Sequence, residues 1–165
     1  DYQPSRGLGD VYKRQIESEL IELHQSDFVP FKNNAANYLG MTAHILYKNI
    51  DPNQIATFSK SLIKKTIREE IGFKGLLMTD DISMKAIKLN PEDAADKALA
   101  AGCDLVLHCN GKINEMNRIA DKINSKYELI TSSKELENIF NNEINISLRE
   151  AELKFNESLN QADLI

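Results

Sequence analysis

Two adjacent carboxylates, Asp80 and Asp81, stand where a short apolar run stops, in Gly75-Leu-Leu-Met-Thr-Asp-Asp-Ile-Ser-Met84. Carboxylates at such a place can act as nucleophile, general acid or general base. Neighbouring residues of an extended chain point to opposite faces, so these two are not expected to work as one acid–base pair. One should face a pocket at the strand's carboxyl end. The other should orient a loop, cap the turn around Ser83, or pair with a cation such as Lys85. His44, after Met41-Thr-Ala, ends another apolar stretch and is the third candidate. His108 is the one obvious partner for a histidine metal pair, and no metal site is expected from two residues so far apart in sequence. His24 falls on a helical stretch and should lie at the surface.

The elements around these residues follow from periodicity and punctuation. Leu76, Leu77 and Met78 are too few for a helix and read as a strand buried on both faces, about Gly75 to Thr79. Tyr38 to Leu46 reads as a strand running into a loop, with Gly40 permitting close backbone approach. Cys103 to Cys109 reads as a third strand, with both cysteines reduced and in the core. Helices are expected over Ile16 to Leu23, from a cap at Asp27 to about Asn37, and over Lys60 to Ile71 with Ser59 as cap. Ser83 to Lys88 could form a short helical turn. A further helix opens at Asn90-Pro91 and stops at Gly102, its inward residues mostly alanine. Another spans Ile113 to Ile123, with Ile113, Met116, Ile119, Ala120 and Ile123 inward. Tyr47 to Phe58 should be a long loop. Strands alternating with helices make a parallel α/β architecture, either a small doubly wound domain or part of a (β/α)8 barrel.

Three chemistries suit a strand-end aspartate. A phosphatase of the haloacid-dehalogenase kind needs a second Asp two residues on, where Ile82 stands. A phosphoacceptor receiver domain needs its Thr or Ser after the acidic pair, whereas Thr42-Ala43 comes before it. The nucleophile of a retaining glycosidase needs a carboxylate that stays ionised at the site. Plain loop capping by both aspartates stands beside these.

Composition narrows the class. The 165 residues carry a formal net charge of -5, with no basic patch to suggest a nucleic-acid partner. No apolar run approaches the roughly 20 residues of a membrane span, and no secretory signal is apparent. No phosphate-binding glycine loop is present, so no nucleotide cofactor is expected. The cytoplasm is the expected compartment. Residues 1–15 have no apolar periodicity, resemble translated sequencing-adapter read-through, and are set apart from fold reasoning as a non-native leader. Residues 132–165 are strongly helical and charged and should form accessory helices.

Five stretches, in order, resemble glycoside hydrolase family 3, specifically its bacterial β-N-acetylglucosaminidases (β-N-acetylhexosaminidases) of peptidoglycan recycling. They are Asp27-Phe-Val-Pro-Phe-Lys32, Met41-Thr-Ala-His-Ile-Leu-Tyr47 with Asp51-Pro52, Arg68-Glu-Glu-Ile-Gly-Phe-Lys-Gly75, Thr79-Asp-Asp-Ile-Ser-Met84 and Ala101-Gly-Cys-Asp104. The resemblance implies a partial (β/α)8 TIM barrel over residues 16–131, its strands 6 to 8 at Leu39, Leu76 and Leu105. It implies that Asp80 is the catalytic nucleophile. Asp81, His44 and Met84 would bind substrate or support the pocket. The substrate would be an N-acetylglucosamine-containing muropeptide, with no cofactor, and the full-length parent a monomer. The family's general acid/base is a His-Asp pair on a loop after the fifth strand, near a Lys-His-Phe-Pro-Gly-His-Gly motif; neither occurs in these residues. The chain is therefore expected to be a C-terminal fragment, inactive alone. A non-enzymatic α/β interaction module derived from such a barrel is the alternative.

Overall fold

The structure, a computed structural model, describes residues 15–127. Of the leader expected over residues 1–15 only Gln15 falls within those residues, and the accessory helices expected over 132–165 lie outside them.

Parallel pairing is the organising feature. β2 (Leu39–Met41) lies beside β4 (Leu76–Met78), with Leu39 opposite Leu76, Gly40 opposite Leu77 and Met41 opposite Met78. Beyond β4 the chain near Leu105 makes one parallel bridge to Met78. The order across this layer is thus 39–41, 76–78, 105, each step crossed over by helix, as parallel strands require. A second parallel pair joins β1 (Gln15–Ile16) to β3 (Leu46–Tyr47).

Side chains alternate across the β2–β4 layer. Leu77 enters the core with Ile63, Phe73, Ala94, Ala98 and Ile119. Gly40 shares that face, and a Cβ there would lie 2.8 Å from the Phe73 ring, so close approach is why glycine stands at 40. Leu39 and Met41 occupy the other face and are 45% and 53% exposed. One face of the sheet is therefore covered by helices and the other is largely open along β2. Gly75, just before β4, is held more tightly. A Cβ there would sit 2.5 Å from the Asn37 carbonyl oxygen and closer still to that of Tyr38.

α3 (Pro91–Ala101) is the helix that best matches its sequence signals. The Asn90 side chain accepts from the Asp93 amide at 2.8 Å, Pro91 sits in the first turn, and Gly102 ends the helix at φ +116. Ala94, Ala95 and Ala98 are completely buried, so the helix axis lies close to the sheet. α4 (Ile113–Asn124) packs against α3, pairing Arg118 with Glu92, Lys122 with Asp93 and Lys126 with Asp96. Its buried stripe is narrower than the periodicity suggests. Ile119 is buried and Ile123 packs on the core, whereas Ile113, Met116 and Ala120 are exposed, because α4 packs chiefly on one neighbour, α3.

Several boundaries differ from expectation. Ile16 is not helical: it pairs with Tyr47 in β1, and the helix begins later, as α1 (Leu20–Gln25). Asp27 does not cap the next helix, α2 (Val29–Asn33). Carbonyls at the end of α1 take the Phe28 and Val29 amides instead, at 2.8 and 3.2 Å, and the Asp27 carboxylate accepts from the Ser26 hydroxyl. α2 stops early because Asn34 bonds back to the Pro30 carbonyl at 2.8 Å. The strand expected over Tyr38 to Leu46 divides, since Thr42 and His44 turn inward and Leu46 then pairs with β1.

The loop 47–58 contains a 3-10 helix, Ala56–Phe58, and is organised by Asp51. That carboxylate accepts from the Asn53 and Gln54 amides at 3.1 and 3.2 Å and from the Ser59 hydroxyl at 2.6 Å. Ser59 also accepts from the Leu62 amide at 3.1 Å, the expected cap. The helix it opens is not α-helical: Leu62–Glu70 is a π-helix, with Ile71 N–H bonding the Thr66 carbonyl five residues back. The wider turn places Arg68 where its guanidinium meets the Phe73 and Gly75 carbonyls at 3.2 and 2.7 Å and Asp104 at 2.6 Å.

The strand expected from Cys103 to Cys109 is reduced to the bridge at Leu105. The Leu107 amide is taken by the Thr79 hydroxyl at 2.9 Å, and this side-chain acceptor interrupts the ladder. Cys103 is buried, and burial pushes its thiol up to about 12. Cys109 is exposed and not in the core, since the chain has already turned.

Candidate functional site

The acidic pair sits at the carboxyl end of β4, and the two carboxylates do different things. Continuing the alternation past Met78, Asp80 falls on the same face as Leu76 and Met78, the face that is open along β2 and covered at Leu76. One of its oxygens, Oδ1, accepts from the Asp81 amide at 2.8 Å. Among the described residues no cation lies within ion-pair distance of it. The group is half-buried and keeps an oxygen available.

Asp81 is fully engaged. Its Oδ1 accepts from the Ser83 amide at 2.9 Å, the Ser83 hydroxyl at 2.7 Å and the Cys109 amide at 3.0 Å. It thereby closes the turn after β4 and ties that turn to the end of the Leu105 segment. Burial raises its carboxyl pKa, but the Ser83 hydroxyl and the two amides outweigh burial and hold it below the ordinary value. The role of cap around Ser83 is the one expected for one member of the pair; the cation Lys85 is not its partner. Met84 follows in the same turn, its amide 3.2 Å from the Asp81 carbonyl and its side chain half-buried.

His44 is 1% exposed and lies behind this turn, not in it. Its Nε2 is 3.0 Å from the Asp81 carbonyl oxygen, which can only accept, so Nε2 carries a proton. Its Nδ1 is 2.9 Å from the Thr57 hydroxyl. The histidine therefore braces the loop backbone. Among the described residues no group of three His, Cys, Asp or Glu is placed to hold a metal ion. His108 is engaged elsewhere, Nε2 lying 3.3 Å from Glu115 Oε2. His24 is half-buried, stacked edge-on to Phe28 and 3.4 Å from Glu70.

Residues that sequence reasoning did not single out complete the site's frame. Thr42 and Thr57 join hydroxyls at 3.0 Å beneath His44. Asp104 accepts both from Arg68 and from the Leu77 amide, the latter at 2.8 Å, and so fixes β4 from its flank. Arg68, Asp51 and Asp104 all stand in the five stretches quoted above, and that was the available signal. Thr57 had none. A cavity of about 510 Å³ opens between α2, β2 and the π-helix, with Phe31, Leu39, Met41, Ile67 and Phe73 among its walls. Asp80, Asp81 and His44 do not line it.

Known proteins similar to this chain in sequence or in structure agree with one another. The family model described as Glycosyl hydrolase family 3 N terminal domain matches residues 6–139. A beta-hexosaminidase of Nitrosospira multiformis is 39% identical over 98 residues, 57% of this chain and 28% of that protein. The chain thus spans well under half the length of the curated relatives it matches. A glycoside hydrolase family 3 beta-N-acetylglucosaminidase from Paenibacillus is similar with TM-score 0.63 at 27% identity, over 68% of this chain and 22% of that one. Native NagZ from Neisseria gonorrhoeae is similar with TM-score 0.58 at 28% identity, over 73% of this chain and 33% of its own.

Proposed function

The chain belongs to glycosyl hydrolase family 3, and we propose that it carries the nucleophile portion of a retaining β-N-acetylhexosaminidase. The observation that carries the reading is the division of labour at the end of β4. Asp81 spends its carboxylate on three local donors, while Asp80 spends one oxygen on one amide, is half-buried and has no ion-pair partner among the described residues.

In this reading an Asp80 oxygen attacks the anomeric carbon of a terminal N-acetylglucosamine. The glycosidic bond breaks, and the leaving oxygen takes a proton from an acid supplied by another part of the barrel. Water, deprotonated by the same group, then attacks the glycosyl ester and releases the sugar with retained configuration. Asp81 and His44 hold the loop so that the carboxylate points outward. The substrate class is N-acetylglucosamine-terminated peptidoglycan turnover products, handled in the cytoplasm by a monomeric parent.

The same reading makes the β2–β4–Leu105 layer the last three strands of a (β/α)8 barrel. Its open face, with Leu39 and Met41, would look into the barrel. The cavity beside β2 would be filled by the preceding barrel units.

Two measurements test the proposal. Residues 27–110 of this chain replace the matching segment of the Nitrosospira multiformis relative, and hydrolysis of a chromogenic N-acetylglucosaminide is followed. The chimera should be active and Asp80→Asn should lower kcat by about 10⁴-fold. A folded chimera without activity would favour the non-enzymatic module instead. The 165-residue chain alone should be inactive, because acid–base assistance supplies about 10²–10⁴-fold and its residues include no such loop. Native-like turnover by the chain alone would contradict this.

A further inference from the structure

We propose that Thr57 is a positioning residue for the Asp80 carboxylate, acting through His44: its hydroxyl fixes the ring tautomer that holds the Asp81 carbonyl. The inference deepens the reading of Asp80 as the reacting group and rests on it for its functional meaning; the hydrogen-bond geometry stands independently.

A proton inventory carries the argument. The Asp81 carbonyl at 3.0 Å requires a proton on His44 Nε2. In the neutral ring Nδ1 is then a bare acceptor, buried with the rest of a side chain that is 1% exposed. An acceptor left bare at such depth is costly, and Thr57 Oγ1 at 2.9 Å is the donor placed to serve it. Thr57 has one hydroxyl proton and three acceptors in reach: Nδ1, the Thr42 hydroxyl oxygen at 3.0 Å and the Ala43 carbonyl at 3.2 Å. The shortest contact is to Nδ1. The Thr42 hydroxyl, 3.0 Å from Thr57 Oγ1, donates in turn to the oxygen whose proton has been given away. The bonds run in one direction: Thr42 to Thr57, Thr57 to His44 Nδ1, His44 Nε2 to the Asp81 carbonyl.

That last bond reaches the reacting group by one more step. The Asp81 amide donates to Asp80 Oδ1 at 2.8 Å. With its carbonyl gripped by His44 and its carboxylate gripped by Ser83 and Cys109, residue 81 cannot rotate freely, and its amide holds Asp80 in one rotamer. Thr57 is itself immobile. It is 0% exposed on a 3-10 helix whose first amide, Ala56 N–H, bonds the Ile45 carbonyl at 2.7 Å. A hydroxyl fixed in this way can select between two tautomers, as outer partners of catalytic and metal-bound histidines do.

The test uses the 165-residue chain labelled with ¹⁵N, read by long-range ¹H–¹⁵N correlation at neutral pH and by amide exchange. In the wild type, His44 should show a protonated Nε2 and a hydrogen-bonded acceptor Nδ1. In Thr57→Val the Nδ1 signal should move to that of an acceptor without a donor, and the Asp81 amide should exchange about tenfold faster. Thr57→Ser should restore both. A wild-type ring protonated on Nδ1, or a Thr57→Val chain with unchanged His44 and Asp81 signals, would overturn the proposal. Should Val prevent folding, Thr42→Val is the second arm: it leaves the Thr57 proton in place, so the hydrogen-bonded Nδ1 signal should persist, and its loss would overturn the stated direction. Failure of Asp80 as nucleophile would leave all these signals intact, so the two claims are separable.

Discussion

Asp80 and Asp81 are neighbours of identical chemistry, and removing each should affect stability very differently. Asp81→Ala deletes the acceptor of the Ser83 amide, the Ser83 hydroxyl and the Cys109 amide, at 2.9, 2.7 and 3.0 Å. Hydrogen bonds to a charged group contribute about 1.5–3 kcal/mol each when buried, and this half-buried site lies at or below the low end. Water can reach the freed hydroxyl, so the two amides dominate and the expected loss is about 2–3 kcal/mol. With a urea m value of about 1–3 kcal/mol/M, the unfolding midpoint should fall by roughly 1–2 M. Asp80→Asn keeps an oxygen for the Asp81 amide and breaks no ion pair among the described residues, so it should change stability by less than about 0.5 kcal/mol. Urea unfolding followed by far-ultraviolet circular dichroism reads both. Equal losses, or a larger loss for Asp80→Asn, would refute the division between a structural and a free carboxylate.

Further outcomes follow from the same contacts. Gly75→Ala should prevent folding or cost more than about 3 kcal/mol, because its Cβ would meet two backbone carbonyls that cannot yield; Gly111→Ala, at φ +72 with open space around it, should cost only about 1 kcal/mol, and urea midpoints compare them. Stability should also fall in acid. The Ser59 hydroxyl bond holds the Asp51 pKa below its ordinary value; for Asp81, burial opposes the lowering but the Ser83 and Cys109 bonds outweigh it. Both are depressed carboxylates, so their contribution is complete above the unfolded value near 3.8 and is lost as pH falls through the lower folded values. Urea midpoints between pH 6 and 2 should drop, and Asp51→Asn should flatten that drop; an unchanged slope would contradict the assignment.

How far these features could be read in advance depended on how local their causes were. The α3 helix was legible because Asn90, Pro91 and Gly102 act within one turn of its ends. β4 was legible because three apolar residues between Gly75 and Thr79 leave few options. The separation of Asp80 from Asp81 followed from strand alternation alone. What was hidden depends on residues distant in sequence. The strand after Cys103 is cut short by the hydroxyl of Thr79, and nothing near Leu107 announces that. The wide turns of Leu62–Glu70 come with Arg68 reaching carbonyls and a carboxylate up to 36 residues away. Ile16 left its helical pattern because a strand partner, Tyr47, was available. Thr57 carries no motif signal, since its role exists only once His44 has been folded onto it.

The central claim is that Asp80 forms the bond to the sugar. The most direct measurement treats the active chimera with a 5-fluorinated N-acetylglucosaminyl donor bearing a good leaving group, which slows breakdown of a glycosyl-enzyme more than its formation. Tryptic mapping would then follow the peptide Gly75 to Lys85, which holds both aspartates. The account predicts one added N-acetylglucosaminyl group whose fragment ions place it on Asp80, and none in Asp80→Asn. An active chimera that carries the adduct on Asp81 or another residue, or that turns over the donor without ever trapping one, would contradict it.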